Sequence, residues 1–318
     1  MGRGETGWVV LTMCTHRKAV EPVFSLQAHT LVPGEAASVA CQWRERLAAC
    51  PASKRIPASI LYRGRGFAIA EQAGRELEAT LYVVSAGLGL VSATEAIPPY
   101  SLTVSPGSVD SVARVVTSRP FSPADWWDSL NETSARPRPI VKLARSQPKA
   151  LLLLSISEPY TRLIQRDMLS LSEAQLSRVR LIGPRPSAAL PPPLQSICMP
   201  YDERLDGPDS PLRGTRSDFA QRALAHFVEN VLEKRPNGSA DHHAHRVRSS
   251  LAQLRPPPTV ARPRLNDQEL LAWIRRHWAE EQGHSSRLLR RLRDVAGFAC
   301  EQSRFAALCH QISQHLKA

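Results

Sequence analysis

Three short runs of unbroken apolar residues most constrain what this chain can fold into: Trp8 to Leu11, Leu81 to Ser85 and Ala150 to Ser155. A strand with one wet face alternates apolar and polar residues, whereas a continuous run is buried on both faces, as in a parallel sheet covered by helices. Between the runs lie helical segments: "FAIAEQAGRELEA" feeds the second strand, and an amphipathic stretch, "PYTRLIQRDMLSL", follows the third. The expected fold is α/β, a mainly parallel sheet covered by helices. Each strand run also ends in small or polar residues, and the carboxyl ends of strands are where such sheets bind ligands.

The rest of the chain suggests its divisions. "RGTRSDFAQRALAHFVENVLEK" carries Phe219, Leu224, Phe227 and Val231 on one side and reads as the helix that closes an α/β domain over residues 1–234. The proline-, histidine- and arginine-rich segment 235–264 shows no hydrophobic periodicity and reads as a linker. Residues 265–318 read as a basic all-α module. Its first helix opens at an Asn266 or Asp267 cap, its second at Ser285 or Ser286 with Leu288, Leu289 and Leu292 inward and Arg287, Arg290, Arg291 and Arg293 outward. A third helix follows a short turn around "GFAC", the spacing of a helix-turn-helix.

Charge bears on partners. The chain has a net charge of +12, and Asp241 to Ala318 holds 13 Lys or Arg against 7 Asp or Glu. That excess favours a polyanionic partner, DNA before RNA, with phosphate contacts expected from Arg287, Arg290, Arg291 and Arg304, and base-edge contacts from Glu301, Gln302 and Ser303. A solvated arginine face on a small packing module is the plainer alternative. No apolar run is long enough to span a bilayer and no leader is recognised, so the expectation is a cytoplasmic protein without a membrane partner. Six scattered cysteines form neither a zinc pattern nor a disulfide framework, and His242, His243 and His245 match no common zinc spacing, so no metal and no cofactor are expected.

Several residues at strand ends carry side chains suited to chemistry. Cys14 sits beside His16, Arg17 and Lys18, an electropositive setting suited to a nucleophilic thiol, with His16 or Lys18 as proton donor. A small apolar cysteine packed at a strand end is the other reading. Arg63 and Arg65 flank Gly64 ahead of a helix and are candidate phosphate contacts. In "YVVSAGLGLVSATEAIPPYSL", Gly87 and Gly89 leave room for a ligand to approach the backbone, and Ser85 stands at the strand end. Tyr100 follows two prolines on a stiff segment, where a flat base could stack. A tight structural turn with Tyr100 capping the core is the alternative. "SEPYTRL", holding Ser157, Glu158, Tyr160 and Arg162, could complete the site from across the sheet or simply cap a helix.

Taken in order, "CTHRK", "LYRGRGFAIAEQA" and "YVVSAGLGLVSATEAIPPYSLTV" resemble the YaaA-like superfamily, over roughly residues 8–158. Leu88 stands where an aromatic or basic residue is common in that pattern, and Ser101 replaces an acidic one. The resemblance implies a DNA-acting or nucleotide-related α/β domain. Related domains look like parts of the archaeosine synthase machinery and like DpdC-type proteins of the bacterial deazaguanine DNA-modification system, in which a nitrile-bearing base becomes an amide. It therefore implies an enzyme acting on a modified base in DNA, with other proteins of such a system as its partners. A non-catalytic DNA-binding protein of stress protection or phage defence, or an RNA-directed modification factor, remains open on the same residues.

Overall fold

The computed structural model describes residues 7–105, 107–132, 138–185, 189–232, 238–258 and 261–315. Two compact units divide at Pro257 and Pro258. In the first, the three apolar runs become β1 (Trp8–Met13), β2 (Thr80–Ser85) and β4 (Leu151–Ser155), joined by β3 (Gly89–Ser92) and β5 (Val179–Ile182). The order is β3-β2-β1-β4-β5, with only the β2–β3 pair antiparallel. The chain leaves β1 toward β2 on one side and later builds β4 and β5 on the other. The carboxyl ends of β1 and β4 therefore flank the point where the strand order reverses, the usual ligand crevice of an open α/β sheet.

Strand periodicity sorts the two faces. Val9, Leu11, Leu152 and Leu154 pack toward α1 (Ala36–Ala49), α3 (Pro123–Asn131), α4 (Pro139–Ser146) and α5 (Glu158–Leu169). Val10, Leu151 and Leu153 pack toward α2 (Arg65–Glu76), α6 (Phe219–Asn230) and α7 (Ala240–Leu251). One buried carboxylate organises the first layer. Asp167 of α5 accepts the Trp127 indole N–H at 3.3 Å and the amides of Ile140 and Val141 at 3.1 and 3.3 Å, capping an α4 whose own N-terminus has no side-chain cap.

Helix α7 corrects the linker expected over 235–264. Ala244, Val247 and Leu251 recur at helical spacing and bury against Phe227 and Leu224, so this segment finishes the α/β core and the boundary moves to 257/258. Residues 235–237 and 259–260 of that expected linker lie outside the described residues. The histidines read as linker have structural work. His243 is buried and its Nδ1 accepts from Arg180 Nε at 2.8 Å. Arg180, itself buried, gives its other donors to the carbonyls of Ser177, Val179 and Gly238, with no carboxylate opposite among the described residues. His226 of α6 ties α7 to Tyr201, with 3.0 Å to Ser250 Oγ and 3.0 Å to Tyr201 OH.

The second unit is three helices, α8 (Asp267–His277), α9 (Ser285–Asp294) and α10 (Gln302–His315), around Leu270, Ile274, Leu288, Leu292 and Phe305. Asn266 caps α8 in a capping box with Glu269, as its sequence suggests. For α9, the cap position is His284 rather than either serine. The α9–α10 connection spans residues 295–301, longer than the roughly 3–4-residue turn of a helix-turn-helix. The tight-turn expectation is corrected accordingly, while the three-helix core stands.

The Arg180–His243 contact makes stability depend on pH. Burial, with the Arg180 charge beside it, pushes His243 down to about 4 from an ordinary 6.5. The unfolded chain therefore binds a proton at His243 that the folded chain refuses, so the stabilisation is complete above pH 6.5 and is lost as pH falls toward 4. Urea unfolding at pH 7 and about pH 4.5 should show a loss on the order of 2 kcal/mol in the wild type, and a smaller loss in His243→Gln.

Candidate active site

Strand β1 ends where its burial ends, and the next residue is Cys14. Its amide donates to Val84 O at 3.0 Å, which extends the β1–β2 ladder by one step and fixes the direction of the side chain. The sulfur lies 2.9 Å from the hydroxyl of Tyr160, in the first turn of α5 directly beyond β4. Burial first, and the Cys14 sulfur second, push the Tyr160 hydroxyl well above its ordinary value. Tyr160 therefore keeps its proton at neutral pH. The retained proton lets the hydroxyl donate to Sγ across this contact, the polarity a nucleophilic sulfur needs.

Lys18 completes the near side. Its ammonium donates to Thr15 O at 3.2 Å and sits 4.7 Å from the centre of the Tyr100 ring and 5.9 Å from that of Tyr62, a cation–π arrangement. Burial lowers its pKa, opposed by the Cys14 sulfur and Asp110. A half-buried amine with a weakened hold on its proton is a competent acid. His16 and Arg17 lie exposed in the same loop, and Arg17 O accepts the amide of Arg63 at 3.0 Å, so the exposed Arg63 stands beside them. Arg65 is more committed. It donates to Arg213 O at 2.7 Å and lies 3.6 Å from Asp218, which leaves Arg63 the freer phosphate contact of the two.

The expected base pocket is corrected. Ser85, Gly87, Gly89 and Tyr100 are all buried, and protein fills the room the glycines leave. A Cβ on Gly87 would stand 2.7 Å from the Tyr100 ring, and one on Gly89 2.5 Å from Asn131 Oδ1, where a φ of +73° also disfavours any side chain. Indole N–H groups hold the loop from inside, Trp43 on Gly87 O at 2.6 Å and Trp126 on Ala86 O at 2.7 Å. Tyr100 is 0% exposed. Its hydroxyl lies 2.5 Å from Ser85 Oγ and 2.8 Å from Tyr62 OH, while Ser85 Oγ accepts the amides of Gly87 and Leu88. The tyrosine–serine chain is thus the floor beneath Lys18, not a platform for a ligand.

Across the sheet, Glu158 pairs with Arg162 at 2.5 Å, and Ser157 occupies the N-cap of α5 without a side-chain bond. Of "SEPYTRL", Tyr160 alone reaches the cysteine. Sequence reasoning missed Tyr62 and the pair His29–Asp110, whose Nδ1 and Oδ1 are 2.7 Å apart. Nothing local ties His29 to a residue 81 positions away.

In the second unit, two of the expected phosphate contacts are engaged within it. Arg291 pairs with Glu280 at 2.7 Å and Glu281 at 3.3 Å, and Arg304 with Asp267 at 2.6 Å and Leu265 O at 3.1 Å. Arg293 donates to Cys300 O. Arg287 and Arg290 are exposed and unpaired among the described residues, as are Arg275 and Arg276 of α8. Glu301 and Ser303 bond each other at the start of α10, where base-edge contacts were expected.

No protein-family model, no curated protein and no solved structure matches this chain. Among the described residues, no helix is long and apolar enough to cross a membrane, and no three His, Cys, Asp or Glu side chains are grouped as metal ligands.

A buried floor makes a test. Tyr100→Ala should cost roughly 3–5 kcal/mol of stability, as truncation of a core aromatic does, and a thermal or urea melt measures it. Unchanged melting would return Tyr100 to the ligand side.

Proposed function

We propose that the chain is an enzyme acting on a base in nucleic acid, with Cys14 as nucleophile and the arginine-rich second unit as a grip on phosphates. The observation that carries the reading is the Tyr160–Cys14 contact of 2.9 Å at the carboxyl end of the central strand, with Lys18 half-buried in the same loop. A sulfur that accepts a hydrogen bond, next to an amine able to release a proton, is set up for addition to an electrophilic carbon. The resemblance to the YaaA-like superfamily supports a nitrile-bearing deazaguanine in DNA as the substrate, converted to its amide. In that scheme the sulfur bonds to the nitrile carbon and the nitrogen takes a proton from Lys18, forming a thioimidate. Water then adds to the same carbon and the carbon–sulfur bond breaks. One proton of the water goes to the substrate nitrogen and the other returns Lys18 to the ammonium, the amide leaves, and the sulfur departs as the thiolate that attacked, for a net gain of one water by the substrate.

The non-catalytic alternative, a DNA-binding protein of stress protection or phage defence, keeps the same phosphate grip and needs no role for Cys14. The free arginines Arg275, Arg276, Arg287 and Arg290 support the grip in either case. In the same unit Arg262, Arg264, Arg293 and Arg304 line a cleft of about 490 Å³.

Two measurements test these readings. Incubation of nitrile-containing DNA with the protein, followed by nucleoside mass spectrometry, should show amide formation by the wild type and none by Cys14→Ala or Cys14→Ser, since a serine hydroxyl is a far weaker nucleophile at neutral pH. Full conversion by Cys14→Ala removes thioimidate chemistry, and no conversion by the wild type leaves the binding reading. For the grip, replacing Arg275, Arg276, Arg287 and Arg290 by alanine should flatten the salt dependence of duplex binding by about one unit of slope for each phosphate that is no longer neutralised. An unchanged slope places the phosphate grip elsewhere.

A further inference from the structure

With Tyr100 buried, a base held near Cys14 needs another flat partner, and the loop between β1 and α1 offers one. Phe24 is 74% exposed, the most exposed of the large apolar side chains in the first unit. An aromatic ring left in water on an otherwise well-anchored loop is costly unless it meets something. The anchoring is extensive. Val23 N donates to Pro99 O at 3.2 Å, Ala28 N to Ser101 O at 2.8 Å, and Ser101 N to Leu26 O at 2.7 Å, so the loop runs along the segment that carries Tyr100.

His29 stands against Phe24, with ring centres 6.4 Å apart and an edge-to-face angle of 80°. Asp110 fixes it twice, accepting from the His29 amide at 3.2 Å and from Nδ1 at 2.7 Å. Burial pushes the Asp110 carboxyl up, but hydrogen bonds from the Ser101 side chain and from His29 hold it below its ordinary value. Asp110 is therefore ionised at neutral pH and holds Nδ1 at 2.7 Å, while the other ring nitrogen, Nε2, has no protein partner among the described residues. The His29 side chain is 38% exposed, enough for that nitrogen to meet a ligand. Lys18 lies over the Tyr100 ring, and the chain neighbours Pro99 and Ser101 of that tyrosine hold the Phe24–His29 loop, so the loop and Lys18 share one floor. His16, Arg17 and Arg63 add an exposed basic edge. An exposed aromatic among basic side chains is how proteins hold unpaired nucleotides, the ring stacking on a base and the cations following the backbone.

We propose that Phe24 and His29 form a reader for an unstacked base, Phe24 stacking on its face and His29 Nε2 hydrogen-bonding its edge, so that the first unit takes nucleic acid as a single strand or with the base turned out of the duplex. This rests on the reading of the chain as a nucleic-acid enzyme and adds how the base is presented. Stacking on an exposed ring tolerates any base, whereas a hydrogen bond to His29 discriminates among base edges.

The test is fluorescence anisotropy with the full chain, using a labelled single strand of about 12 nucleotides and the duplex of the same sequence. Phe24→Ala should weaken single-strand binding about 5- to 100-fold with an unchanged melting temperature, and Phe24→Trp should restore it. His29→Ala should level the affinities for the four homopolymers. Equal single-strand affinity of Phe24→Ala and wild type overturns the reader, as does a wild type with no single-strand affinity. A chain that binds single strands through Phe24 but converts no nitrile base removes the nitrile chemistry and leaves the reader standing. A Phe24→Ala chain that matches wild type removes the reader whatever the conversion assay shows.

Discussion

Strand β1 is paired along both edges and covered on both faces, and nearly every functional feature of the first unit follows from that. Its interior residues can do nothing but pack; Val9, Val10 and Leu11 are fully buried. Chemistry is confined to the end of the strand, where the chain first meets solvent at Cys14. The same end receives the first turns of three helices. α5 follows β4 directly, α2 begins beside the Cys14 loop through Arg63 and Arg17, and α6 sends Gln221 to Thr12 at 3.1 Å. Helix N-termini carry partial positive charge, so the crevice favours anions before any arginine is counted.

Beneath that crevice, buried polar groups are satisfied by one another. Ser85 is the hub: its oxygen serves two amides and one tyrosine, and that tyrosine serves a second. Such a chain holds only if every member is present, since a single unpaired buried hydroxyl costs about as much as several good bonds return. Rigidity here suits a floor under Lys18, whose ammonium lies over the Tyr100 ring. Ser155 Oγ and Gln221 Oε1 break the pattern, both buried and unpaired at the carboxyl end of β4. They sit on the α2/α6 side of the sheet, where the hydrogen-bonding capacity of the crevice is not used up by the protein itself.

The sheet was legible because unbroken apolar runs have few other uses, and the helices because Leu, Ile and Phe mark their inner faces. α7 was not, since its inward residues Ala244, Val247 and Leu251 are small or scattered among three histidines and two arginines, and a buried His243 satisfied by Arg180 looks in sequence like any polar residue. The chain places Lys18 in the Cys14 loop by sequence alone, whereas Tyr160, the hydrogen-bond partner of the sulfur, lies 146 residues away. Pro98 and Pro99 do stiffen the approach to Tyr100, but stiffness does not say which side of the chain is inside. Asp110, which takes hydrogen bonds from the Ser101 and His29 side chains, is brought to them by the fold, and no linear pattern displays that grouping.

The position of β1 also dictates when the fold can form. Trp8 pairs with Leu151 and Val9 with Thr80, so the central strand has no partner on one edge until about 70 further residues exist and none on the other until about 140 do. At ordinary rates of synthesis that is a delay on the order of ten seconds. Through it, one of the most apolar segments of the chain must stay clear of its own kind. A nascent chain stalled before β4 would thus leave one edge of this apolar strand without its partner, an edge open to pairing with neighbouring copies.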